Sequence, residues 1–224
     1  EAAGWLTGRL AKDQGLSAET RQAADLALEK IEAGVDRARR ITHQLLELTR
    51  KDQQELRELD AAEVLAEAAE MVRASAAGRG VELDVQTGAV GPALWADPQS
   101  LRQILVNLLT NAVQASPPGG RVAASAAADG SEAVFMVKDQ GEGIPREEQK
   151  KIFDPFYTTK PPGQGTGLGL SMCQGMAGRM GGRVEVDSRV GVGSVFRLVV
   201  PKRPPMPEPL SENASPGEET MDRV

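Results

Sequence analysis

The stretch from Asn107 to Gly169 leaves this chain few folds to choose from. It reads NLLTNAVQAS, then DQGEGIP, then FDPFYTTK, then GQGTGLGLS. An apolar helix carries two asparagines one turn apart. A glycine-bracketed aspartate ends a strand, and a glycine-rich loop then opens into another helix. Taken together, the order and spacing point to a nucleotide site.

Each piece has its own chemistry and also a plainer structural reading. Asp97-Pro98 is an N-cap followed by proline at the first helical position, which predicts a helix from 98 to about 116. Leu101, Ile104, Leu105, Leu108, Leu109 and Ala112 form its buried stripe. Asn107 and Asn111, four residues apart, share a face. Asparagine is a poor helix former, so the pair is either ordinary surface polarity or an amide oxygen serving a hard cation such as Mg²⁺ beside phosphates and water. Asp139 follows a strand and precedes Gly141 and Gly143. It is either a loop turn or a carboxylate that accepts from the exocyclic amine of adenine, with glycines admitting the base. Phe153, Phe156 and Tyr157 cluster where aromatics are otherwise scarce, as a staple under a loop or the hinge of a lid. Lys160 could reach a terminal phosphate as a point charge. Gly163, Gly165, Gly167 and Gly169 precede or open a helix whose N–H groups suit phosphate. The lysine-ending P-loop and the dinucleotide fingerprint are both missing.

The chain around these motifs reads as an α+β protein. Asp60 is expected to cap a helix over 61–77 that ends at Gly78 and Gly80. VELDVQ and Leu94–Ala96 read as strands. Arg121–Ala127 and Ala133–Asp139 form a pair around Asp129-Gly130. A helix from Leu168 to Met180 precedes a hairpin of Arg183–Ser188 and Ser194–Val200. This order predicts a two-layer α/β sandwich, a mixed sheet with helices on one face.

Upstream, Ala24, Leu28, Ile31, Val35, Ala38, Thr42, Leu45 and Thr49 alternate spacings of four and three, a heptad seam on one long helix. Residues 1–15 are too short to cover that seam, so a second chain or missing upstream sequence is implied. The single histidine, His43, falls on the face away from the seam and reads as a solvated side chain. Residues 53–59 are charged and read as a hinge. Residues 201–224 are rich in proline and glutamate and read as a disordered tail.

The net charge of −6 and the lack of a basic patch interleaved with aromatics argue against nucleic acid. One cysteine, Cys173, excludes an internal disulfide and fits a cytoplasmic setting. No apolar run is long enough to span a bilayer. The chain opens on Glu1, which is expected of an excised piece, so membrane attachment would come only through segments upstream.

The four motifs in this order resemble the N, G1, F and G2 boxes of the GHKL ATP-binding superfamily, over about residues 60–200. More narrowly they resemble the catalytic domain of bacterial sensor histidine kinases, and FYTTKPPGQGTGLGLS is similar to their nitrogen-regulatory type. GVGSVF, from Gly191 to Phe196, resembles the last box, with Ser194 near adenine. RITHQLLELTRK resembles the second helix of the dimerisation and phosphotransfer hairpin, which would place a partial hairpin in residues 1–52, a hinge at 53–59 and the catalytic domain at 60–200.

That resemblance implies ATP with Mg²⁺ on Asn111 and adenine on Asp139. It implies further nucleotide contacts from Gly141, Gly143, Ile144, Phe156, Gly165, Thr166, Gly167, Leu168, Gly169 and Ser194. Asn107 and Lys160 would be the catalytic positions. The γ-phosphoryl would pass to a histidine and then to an aspartate on a response-regulator receiver domain, in a homodimer held by the hairpin.

Two departures matter. The acceptor box, a histidine followed by an acidic residue, is absent, because His43 is followed by Gln44; the chain is expected to bind ATP but to hold no histidine substrate of its own. The hydrolysing members of the superfamily carry a glutamate base where Asn107 stands, and an amide cannot take a proton at neutral pH. A GHKL-type ATPase and a non-catalytic docking module are the alternatives.

Overall fold

The computed structural model describes residues 17, 22–28, 30–31, 34–35, 56–87, 91–160 and 165–203. Among them the elements run β1 (Arg57–Asp60), α1 (Ala61–Gly78), β2 (Glu82–Gln86), β3 (Ala93–Ala96), α2 (Pro98–Ala115), β4 (Arg121–Asp129), β5 (Glu132–Lys138), a short 3₁₀ turn (Lys151–Phe153), α3 (Gly169–Arg179), β6 (Arg183–Arg189) and β7 (Gly193–Pro201).

Both expected N-caps form. Asp60 Oδ1 accepts from the N–H of Ala62 at 2.7 Å and of Glu63 at 3.3 Å. Its carboxylate also takes the N–H of Gly91, which ties the approach to β3 onto the start of α1. Asp97 Oδ1 accepts from Ser100 N–H at 2.7 Å, with Pro98 just inside α2. Each cap satisfies donors that a helix start leaves without partners.

The main sheet has the order β2-β4-β5-β7-β6. β2 runs parallel to β4, and the other neighbours are antiparallel. Along β5 the alternate residues Ala133, Phe135 and Val137 are buried, and along β7 so are Phe196, Leu198 and Val200. That period of two puts one face of the sheet under the helices. α2 packs between α1 and α3. Being covered on both flanks and by the sheet, it buries Leu101, Ile104, Leu105, Leu108, Leu109, Ala112 and Val113. The two-layer α/β sandwich read from the sequence is therefore the observed architecture. β4 contains AASAAA, a poor strand former by composition, yet pairing with β2 on one side and β5 on the other holds it extended.

Two boundaries need correction. The stretch taken as a hinge, 53–59, includes most of β1, which pairs antiparallel with β3 through Arg57↔Ala96 to Asp60↔Ala93. Its alternation is short and its charges face solvent, so no apolar pattern marked it as a strand. The tail expected from 201 also begins too early. Pro201 pairs with Glu132 in β7, and Lys202 donates its N–H to Ser131 and accepts from Trp95 N–H, both at 2.9 Å.

The expected upstream helix is present at residues 22–28, 30–31 and 34–35. Ile31 and Val35 of the seam are exposed, at 58% and 61%. Ala24 and Leu28 are half-buried, while His43 and the later seam positions Ala38, Thr42, Leu45 and Thr49 lie outside the described residues, as do Gly163 and everything past Arg203.

Candidate functional site

α2 is the element on which the motifs meet. Its stripe is committed to the core, which leaves Asn107 and Asn111 half-buried on its remaining face. A Cβ on Gly169, at the first residue of α3, would approach Asn107 Oδ1 at 3.8 Å. Lys160 Nζ donates to Gln114 Oε1. A Cβ on Gly141 would meet the main-chain oxygen of Ala115 at 2.7 Å, so this loop approaches the last turn of α2 as only glycine allows. Asn111 lies one turn from each of these contacts. Residues far apart in sequence thus converge along two turns of one helix.

Asp139 caps the end of β5 and is 2% exposed. Its Oδ1 accepts from Gly141 N–H at 2.8 Å and Ser194 N–H at 3.1 Å. Neither of these bonds uses Oδ2. Burial raises the Asp139 pKa above the ordinary carboxylate value, against the lowering effect of the Gly141 and Ser194 hydrogen bonds. Gly143 has φ +74°, and a Cβ there would run into Arg189 O. This glycine therefore lets the loop pass beneath the β6–β7 turn, where Gly191 N–H donates to Glu142 O at 2.7 Å.

Ser194 sits in a hydroxyl pair with Ser188 at 2.9 Å. Ser188 Oγ also accepts from Ile144 N–H at 2.8 Å. Gln149 Nε2 bridges the carbonyls of Ile144 and Ser188 at 3.0 and 2.8 Å. Ser188 and Gln149 are site-shaping residues that sequence reasoning missed. Ser188 had a readable signal, since a hairpin symmetric about Gly191 sets it opposite Ser194. Gln149 had none.

The side formed by FDPFYTTK and the glycine-rich segment is built differently. Phe156 N–H donates to Gly167 O at 2.8 Å, which ties FDPFYTTK to the start of α3. Phe156 itself is 65% exposed and has φ +68°, a conformation that costs a non-glycine residue about 1–3 kcal/mol. Leu168 is buried in the core and anchors the start of α3. Thr166 Oγ1 accepts from Leu168 N–H at 3.4 Å, and Gly165 packs near Thr158. Among the described residues no side chain caps the N-terminus of α3, a helix start whose first N–H groups suit an anion.

Among the described residues Asn107 Nδ2 is buried without a hydrogen-bond partner. It lies by the thiol of Cys173, whose pKa it lowers against the larger effect of burial. Sulfur is a weak acceptor, so this contact does not satisfy the amide. Burial dominates at Cys173 and pushes its pKa up to about 12. Among the described residues no cluster of three His, Cys, Asp or Glu side chains is present. A cation held by Asn111 would therefore need ligand oxygens and water to complete its shell.

The histidine kinase-, DNA gyrase B- and HSP90-like ATPase family matches residues 96–204, which contain every one of these groups. The solved catalytic domain of histidine kinase ThkA has a TM-score of 0.61 at 30% identity, covering 67% of this chain and 97% of that one. This chain belongs to the sensor histidine kinase branch of that family. Full-length ShkA, solved in complex with AMPPNP, has a TM-score of 0.69 at 29% identity, covering 89% of this chain and 42% of that one. Sensor kinase CckA of Brucella abortus is 37% identical over 187 residues, 77% of this chain and 20% of the relative. The chain spans roughly a fifth to a third of the curated relatives it matches. Among the described residues no helix is long and apolar enough to cross a membrane.

Proposed function

We propose that this chain is the nucleotide-binding, phosphoryl-donating part of a two-component sensor histidine kinase. The observation that carries the reading is Asp139. A carboxylate buried at a cost, with Oδ1 fixed by two N–H groups and Oδ2 uncommitted to them, is built to accept from an adenine amine. The relative solved with AMPPNP supports a nucleotide here.

In this reading Asn111 contributes its amide oxygen to Mg²⁺, which supplies charge neutralisation at the phosphates. The uncapped start of α3 and Lys160 hold phosphate oxygens, while Phe156 and Gly165–Gly169 form the closing lid. Ser194, Ile144, Gly141 and Gly143 shape the base pocket. Asn107 offers no proton acceptor for water, which favours transfer to a histidine over hydrolysis. Catalysis then rests on positioning and charge.

The phosphoryl group would go to a histidine outside this sequence and on to a response-regulator aspartate. Residues 1–52 would supply part of a dimerisation hairpin, with a second copy covering the exposed Ile31 and Val35. The cytoplasm is the expected location.

Mg²⁺-dependent binding of a fluorescent ATP analogue tests the proposal. Asn111→Ala and Asp139→Ala should each weaken binding by about tenfold or more. Unchanged affinity in both variants would overturn the nucleotide reading.

A further inference from the structure

Arg79 follows the last residue of α1, in the turn that leads to β2, and no motif includes it. Its Nη2 donates to the main-chain oxygen of Gln114 at 3.3 Å. The side-chain oxygen of the same glutamine accepts from Lys160 Nζ. One residue of α2 therefore holds two cations from two distant parts of the chain. Gln114 is also seven residues beyond Asn107 and three beyond Asn111, on the same helix face.

Among the described residues neither cation has a carboxylate partner, whereas Arg73, Arg102, Arg121 and Arg183 all do. The proximity has a cost: burial lowers the Lys160 pKa, and the Arg79 charge lowers it further. A cation beside the last carbonyls of a helix is ordinary dipole pairing. That accounts for Arg79 alone and leaves the second cation, brought to the same residue, unexplained. An anion bound between the two would offset their repulsion.

We propose that Arg79 binds the terminal phosphate of the nucleotide beside Lys160, supplying a cation where α2 itself offers only the neutral Gln114. This rests on the nucleotide reading above and adds a phosphate-binding residue to it. Because its target is the terminal phosphate, Arg79 discriminates ATP from ADP.

Calorimetric titration of the full chain with MgATP and MgADP tests this. Arg79→Ala should weaken ATP by about fivefold and ADP by less than about twofold, while Arg79→Lys keeps most of the ATP affinity. Arg79→Gln, which can keep a hydrogen bond to Gln114 without the charge, should show the same selective loss as Arg79→Ala and guards against a damaged helix end. Equal weakening of both nucleotides, or unchanged ATP affinity, would overturn the role of Arg79. If Asp139→Ala and Asn111→Ala also leave ATP binding intact, it is the nucleotide reading itself that fails.

Discussion

At the scale of single residues, Asp139 separates a functional demand from a structural one. Burial raises its pKa, so the folded chain holds this proton more tightly than the unfolded chain does. The stability linked to that proton is complete below the unfolded value of 3.8 and is lost as pH rises through the folded pKa. At neutral pH the ionised carboxylate therefore costs stability. Asp139→Asn keeps an oxygen for Gly141 and Ser194 but removes the charge. It should raise unfolding stability at pH 7, and the gain should fade as pH drops below 3.8. Urea titrations at the two pH values measure this. A variant less stable than the parent at pH 7 would mean that the carboxylate serves the fold. Nucleotide affinity should fall in the same variant.

At the scale of elements, α2 does two jobs with separable energetics. Its apolar stripe holds the domain together, and its asparagine face carries the proposed site. Leu105 is fully buried, and Leu105→Ala should cost about 2–5 kcal/mol. Asp97→Ala loses only the bond from Ser100 N–H and should cost about 1 kcal/mol, or about 3 °C in Tm. Nucleotide affinity measured well below the Tm should be unchanged by Asp97→Ala, because the cap lies more than two turns from Asn107. Thermal melts and binding titrations on the same samples check both halves. The caps, the stripe and the paired asparagines were all legible because a helix repeats every 3.6 residues, and each signal is local. Arg79 and Gln149 were not legible, since Arg79 bonds to α2 and Gln149 to β6, and no spacing links either pair.

At the scale of the whole molecule, the two sheets are joined through the end of β7. Lys202 bonds to Ser131 beyond one end of the main sheet and to Trp95 in β3, so β1–β3 is tied to the larger sheet through it. A chain ended after Arg203 keeps the Pro201 pairing and both Lys202 bonds and serves as the reference. A chain ended after Val200 loses the Pro201 pairing and both Lys202 bonds, and it should be less stable by about 1–3 kcal/mol with little change in m-value. An unchanged urea midpoint for the shorter chain would show that this joint contributes nothing.

The sequence alone determined the two-layer architecture, the core stripe, both N-caps and the set of glycines, asparagines and carboxylates that mark the site. Each follows from a local rule of period, cap or backbone freedom. The tertiary structure alone decided which residues complete that set. It set Gln149 across the carbonyls of Ile144 and Ser188, seated Cys173 under Asn107 and drew Arg79 and Lys160 onto Gln114. It also showed that residues 57–59 and 201–202 belong to the folded domain. Those outcomes depend on backbone pairing and burial between distant segments, energies that no short window of sequence contains.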